Sequence, residues 1–192
     1  MRGLYAAQQQ EAERARQRQE QERYASAGAQ GNTATITYPD GLKETRSGNH
    51  PQRDNNPGNI EYSGTFAKEH GAVGKDKAIA IFPSAETGWA ALDALLKRSD
   101  YQARSIDETI KAYAPPKNQR GQVINDTAKY QANVRAALGV RGDRKLSSLS
   151  PEQFETLKQT IAQIEGYYDK RPNRKVKVIR ELPKRPNLIP RI

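Results

Sequence analysis

Residues 150–166 read SPEQFETLKQTIAQIEG, a stretch that carries a helix start, an apolar helix face and a helix stop within seventeen residues. Ser150 followed by Pro151 is a helix N-cap with proline at the first helical position. Gln153 sits where a capping box takes Glu or Gln. At about 100° per residue, Phe154, Leu157, Ile161 and Ile164 share one stripe, with Glu165 at its edge and Glu152 and Glu155 turned away. Gly166 is a natural terminator. The negative end of the helix dipole and desolvation both favour a protonated Glu165, which suits a general acid working near neutral pH.

Upstream, three more segments carry helix start signals. Ser84 precedes Trp89, Leu92, Leu95 and Leu96 at helical spacing, a stripe that makes Trp89 a core residue. Ser105 and Glu108 form a capping box ahead of Ile106 and Ile110, and Pro115-Pro116 stops that helix. Asn125, Asp126 and Thr127 offer caps for a helix through Tyr130, Val134 and Leu138, ended by Gly139. Four helices around one core predict a mainly α fold. A small β element precedes them: Ala34, Ile36 and Tyr38 alternate with threonines before Pro39-Asp40-Gly41, which predicts a hairpin. The resulting division is a polar helix or linker over 1–30, a hairpin lead-in over 31–50, a helical domain over 51–169 and a basic, proline-containing tail over 170–192.

Composition excludes whole classes of chemistry. The chain has no cysteine, so it forms no disulfide and offers no thiolate nucleophile or Cys-ligated metal. Its two histidines, His50 and His70, read as loop residues, and neither a metal nor a cofactor is expected. A net charge of +10 predicts an acidic partner without choosing among nucleic acid, anionic lipid and bacterial wall. No run is apolar enough for a signal peptide or a membrane span, so synthesis in the cytoplasm is expected.

Residues 53–62, RDNNPGNIEY, pack three asparagines, a proline and a glycine into one tight turn, a surface rich in amide groups. This turn, together with GAVGKD, IFPSAETG, TIKAYAPP, NDTAKY and AQIEGYY downstream, resembles the NNPGNI-type lysozyme-like domains of bacteriophage structural and lytic proteins and of some secreted antibacterial effectors. The likeness spans Arg53 to Tyr168. It implies a lysozyme-like fold and cleavage of peptidoglycan glycan strands. The order NN-x-G-N-I then F-P-S-x-E-x-G is also similar to that of bacterial glucosaminidases, whose acid precedes the asparagines. Here that upstream segment reads as hairpin and loop, which makes Glu44 a poorer acid than Glu165 and implies a circular permutation of the acid-bearing helix. The loop KNQRGQVINDT departs from the shorter, acidic pattern of the family, and Ile79 stands where an aromatic is expected.

A hydrolase of this class needs a second carboxylate, whereas a lytic transglycosylase works with one acid/base residue. Glu61 is the expected second catalytic group, with Asp76 as the other candidate. Asn55, Asn56, Asn59, Tyr62, Asp76 and Tyr130 are expected to line a sugar-binding groove, tyrosines being suited to stacking on sugar faces. The expected partner is bacterial peptidoglycan, reached after delivery by a virion, a holin or a secretion system that the N-terminal segment or basic tail engages. A non-catalytic wall-binding or virion-structural module is the rival reading. Nucleic-acid binding is weaker, because phosphate grip gives no account of the asparagine turn.

Overall fold

The computed structural model describes residues 2–118, 120–167 and 177–182. Its elements run α1 (Arg2–Arg23), β1 (Ser26–Gln30), β2 (Thr33–Thr37), β3 (Lys43–Ser47), α2 (His50–Arg53), α3 (Phe66–Glu69), β4 (Gly74–Asp76), β5 (Ile79–Ile81), α4 (Ala85–Lys97), α5 (Ser99–Gln102), α6 (Ile106–Tyr113), α7 (Thr127–Ala137), α8 (Pro151–Glu165) and β6 (Lys177–Glu181). The fold is α+β: eight helices and a six-stranded mixed sheet, 48% helix and 19% strand, among the described residues. This corrects the mainly α expectation.

The expected hairpin is present as β2 and β3, but it is the middle of a larger sheet ordered β5-β4-β1-β2-β3-β6. Strand β1 has the sequence SAGAQ, too small and flexible to signal a strand by itself. It is held by antiparallel pairing to β2 on one side and a parallel match of Ala27 and Gly28 to Gly74 and Lys75 of β4 on the other. Gly74 is required there, since a Cβ would stand 2.0 Å from the Ala27 carbonyl oxygen. Strand β6 lies within the stretch read as a proline-broken tail, and pairs with β3 through Lys43↔Glu181 to Ser47↔Lys177. Residues 170–176 and 183–192 of that tail lie outside the described residues.

Side chains alternate along β5 and join two clusters. Ile81 packs with Ala34 and Ile36 of β2 under the sheet. Ala80 and the following Phe82 enter the main helical core with Leu92 and Leu96 of α4, Ile106 and Ile110 of α6, Val134 of α7, and Leu157 and Ile161 of α8. Each fully buried Phe, Leu, Ile or Val side chain of this core contributes roughly 1.5–3 kcal/mol. Trp89 packs partly buried against this core and meets Tyr167 edge to face, ring centroids 5.7 Å apart.

The helix signals hold at the caps: Ser84, Ser105, Asp126 and Ser150 each accept a hydrogen bond from a backbone N–H of their helix's first turn. The face of α8 differs from the expected stripe. Ile164 is 38% exposed, and Leu157, Lys158, Ile161 and Ala162 form the buried side. Glu165, four residues after Ile161, therefore belongs to the inward face rather than its edge. Lys158 is tolerated there because Asp93 of α4 accepts its ammonium at 2.9 Å.

Candidate active site

The site is built on the asparagine turn, which the sequence fastens from three directions. Asn55 and Asn59 adopt φ of 52° and 48°, left-handed conformations that asparagine tolerates better than most residues. The Asn56 side chain donates to the carbonyls of Ile60 and Ala80, both at 2.9 Å, and accepts the Ile60 N–H at 2.8 Å. Asn55 donates to the Phe82 carbonyl at 3.0 Å. These bonds lash the turn to β5. On the helical side, a Cβ on Gly88 of α4 would lie 1.8 Å from the Asn55 carbonyl oxygen, and one on Gly58 would lie 2.9 Å from the Tyr113 hydroxyl. The two glycines let turn, α4 and α6 close on one another.

Asn55 and Asn56, expected on a sugar-binding surface, are instead 2% and 0% exposed and serve as internal braces. Asp76 is also redirected: it is buried in an ion pair with Arg53, which in addition donates to the Gly48 carbonyl at 2.7 Å. Asp54 lies beside them, and desolvation, then the neighbouring Asp76 charge, push its carboxyl up to about 8. His50, Asp54 and Asp76 offer ligand atoms within 4.8 Å of one another, a grouping the linear sequence does not reveal. Arg53 contacts both His50 and Asp76, so the positive charge that a bound cation would contribute is already supplied from within. Burial and the same guanidinium hold His50 below the ordinary histidine range.

The exposed end of the turn reaches α8. Asn59 donates its amide to Glu165 Oε2 at 3.2 Å, and the Tyr130 hydroxyl of α7 donates to Oε1 at 3.2 Å. Asn49 donates to the carbonyl of Gly166 at 2.6 Å, securing the helix end itself. Gly166 closes α8 at φ 94°. Desolvation raises the Glu165 pKa, while the bonds from Tyr130 and Asn59 oppose that shift by favouring the carboxylate; the net direction is upward. Tyr130 is itself held protonated by burial and by the Glu165 charge.

Glu165 opens into a cavity of about 570 Å³, within the range of small-molecule sites. Asn59, Glu61, Tyr113, Tyr101, Arg98 and Asn125 contribute polar groups to its lining. Tyr113, the last residue of α6, was not foreseen. Its residue is half-buried, yet its hydroxyl is fully enclosed and has no hydrogen-bond partner among the described residues. The Oδ1 atom of Asn59 is likewise enclosed and unpartnered. A buried donor and a buried acceptor left unpaired beside a carboxyl cost stability. The one sequence signal for Tyr113 is its position just before Pro115-Pro116, where a helix must end.

Of the residues expected at the site, Glu165, Glu61 and Asn59 share the cavity, and Tyr130 supports it from behind. Glu61 is exposed and accepts a bond from Ser63 at 3.5 Å. Tyr62 is not in the lining; its ring packs on the main core with the Lys68 ammonium over it at 5.4 Å. Glu44 is buried in the sheet, paired with Arg46 and Arg180, so it is committed to ion pairs there. The chain matches no protein-family model and no curated protein.

Proposed function

We propose that this protein cleaves the β-1,4-linked glycan strands of bacterial peptidoglycan, with Glu165 as general acid. One observation carries the reading: a carboxyl at the end of α8, drawn upward in pKa by burial, faces a cavity that also holds Glu61, with Asn59 and Tyr113 in its lining. The protonated Glu165 delivers its proton to the bridging oxygen as the bond from that oxygen to the anomeric carbon breaks. Glu61 then either steadies the cationic sugar or activates water, giving a reducing end. If the substrate's own 6-hydroxyl attacks instead, the product is an anhydro sugar and Glu165 takes back a proton as base. The net charge of +10 favours approach to the carboxylate-bearing wall.

Purified peptidoglycan digested by the wild type should release soluble fragments, and their masses distinguish reducing from anhydro ends. Glu165→Gln should leave a folded protein whose rate falls by about 10²–10⁴-fold, the range for losing a general acid. Full activity in that variant would end the assignment. Co-sedimentation of the wild type with the wall and no released fragments would favour the non-catalytic wall-binding reading.

A further inference from the structure

The two edges of the sheet are finished differently. The outer side of β5 is occupied, because Glu61 bridges to Ile79 in antiparallel fashion. Strand β6 pairs with β3 on one side and has no strand on the other among the described residues. An edge of this kind presents a row of unpaired N–H and C=O groups, a template for another strand. Apolar side chains accompany it: Val178 is 43% exposed, Ile179 42% and Leu182 81%.

The sequence of β6, Lys-Val-Ile-Arg-Glu over 177–181, is complementary to its own reverse about Ile179. An antiparallel copy in that register sets Lys177 opposite Glu181 at both ends, Ile179 opposite Ile179, and Val178 along the aliphatic stem of Arg180. Shifting the centre to Arg180 would place two guanidinium groups face to face. Centring on Val178 would set Lys177 against Ile179. Among these self-pairings, only the Ile179-centred register matches opposite charges. The strand is also held in place for the purpose, since Arg180 donates to Glu44 at 2.8 Å on the face opposite Lys177, Ile179 and Glu181.

We infer that a second copy of this chain docks on β6, joining two sheets into one continuous sheet across a two-fold axis at Ile179. The isologous geometry follows from a patch that recognises itself. Moderate salt suits the measurement, because two molecules of charge +10 repel and a Debye length of about 8 Å screens that repulsion.

The test uses the full chain in sedimentation velocity over a range of concentrations. The wild type should show a concentration-dependent dimer. Lys177→Glu and Glu181→Lys should each be monomeric, with unchanged circular dichroism, because each places like charges opposite one another. The double variant K177E/E181K should dimerise again. A mixture of the two single variants should form a one-to-one heterodimer, and together with the wild-type dimer and the rescue in the double variant this singles out the antiparallel Ile179-centred register over a parallel in-register one, which would set Lys177 against Lys177. A monomeric wild type at every concentration overturns the inference. So does a dimer that both single variants retain, since it would use another surface.

Discussion

At the scale of single residues, the site turns on how Glu165 shares its proton. Tyr130 donates to Oε1 and thereby favours the carboxylate, acting against the desolvation that favours the acid. Tyr130→Phe removes that donor without removing the ring, so the Glu165 pKa rises further. For a general acid the alkaline limb of the pH–rate profile follows that pKa, and activity is lost as pH climbs through it. The limb should therefore move to higher pH in Tyr130→Phe, by about one unit for a bond of about 1.4 kcal/mol. Rate profiles on purified wall fragments check this, and a limb unmoved or displaced toward acid would separate Tyr130 from the proton. The end of α8 at Glu165 was legible in the sequence because its terminator, Gly166, follows directly, whereas the buried face was legible only in part, since Lys158 stands on it and Ile164 does not. Asn55, Asn56 and Asp76 were misassigned for a physical reason. Polar side chains look the same on paper whether they meet water, a ligand or, as here, a partner more than twenty positions away: the Phe82 and Ala80 carbonyls for Asn55 and Asn56, and the Arg53 guanidinium for Asp76.

At the scale of elements, the four long helices of the core were readable and most strands were not, and the difference lies in where the determining contacts are. A capping box such as Ser105 with Glu108 is complete within four residues. Strands β4 and β5 have three residues each, and β1 is held by β4 across more than forty positions of sequence. No local pattern encodes such a pairing. The packing of α4 against the asparagine turn carries a separate prediction. Gly88 lies in a helix interior, where alanine ordinarily stabilises by up to about 1 kcal/mol. Here a methyl group would meet the Asn55 carbonyl oxygen at 1.8 Å, so helix and turn must separate. Gly88→Ala should destabilise the protein by about 2–4 kcal/mol and reduce activity together with stability, because the displaced turn takes Asn59 away from Glu165. Urea unfolding gives the first quantity. A neutral or stabilising effect would show that the turn has room to move.

At the scale of the whole molecule, the sheet runs across the boundaries expected at residues 30/31 and 50/51. Strands β4 and β5 come from the segment expected to be a helical domain, β2 and β3 from the hairpin lead-in before it, and β1 from the segment expected to be a polar helix or linker. The small cluster of Ala34, Ile36 and Ile81 draws on both parts, with Ala25 and Ala27 packed against it. In α1, by contrast, the firm attachments lie near the C-terminal end: Glu22 accepts from the hydroxyls of Ser84 and Thr87, both at 3.1 Å, and Gln21 accepts from the Asp40 N–H at 3.3 Å. Two truncations therefore separate attachment from ornament. A chain of residues 20–192 keeps Glu22 and β1, and should unfold within about 0.5 kcal/mol of the full chain, as expected when mainly solvated surface is removed. A chain of residues 31–192 loses β1, which splits the sheet between β4 and β2 and uncovers Ile36 and Ile81. At about 1 kcal/mol net for each lost backbone hydrogen bond, plus the apolar surface exposed, that version should fall by several kcal/mol. Its cleavage rate should fall as well, because β5 anchors the asparagine turn through Asn56. If both truncations unfold at the same denaturant concentration as the full chain, β1 is an appendage, and the stability of the site resides in the helical core alone.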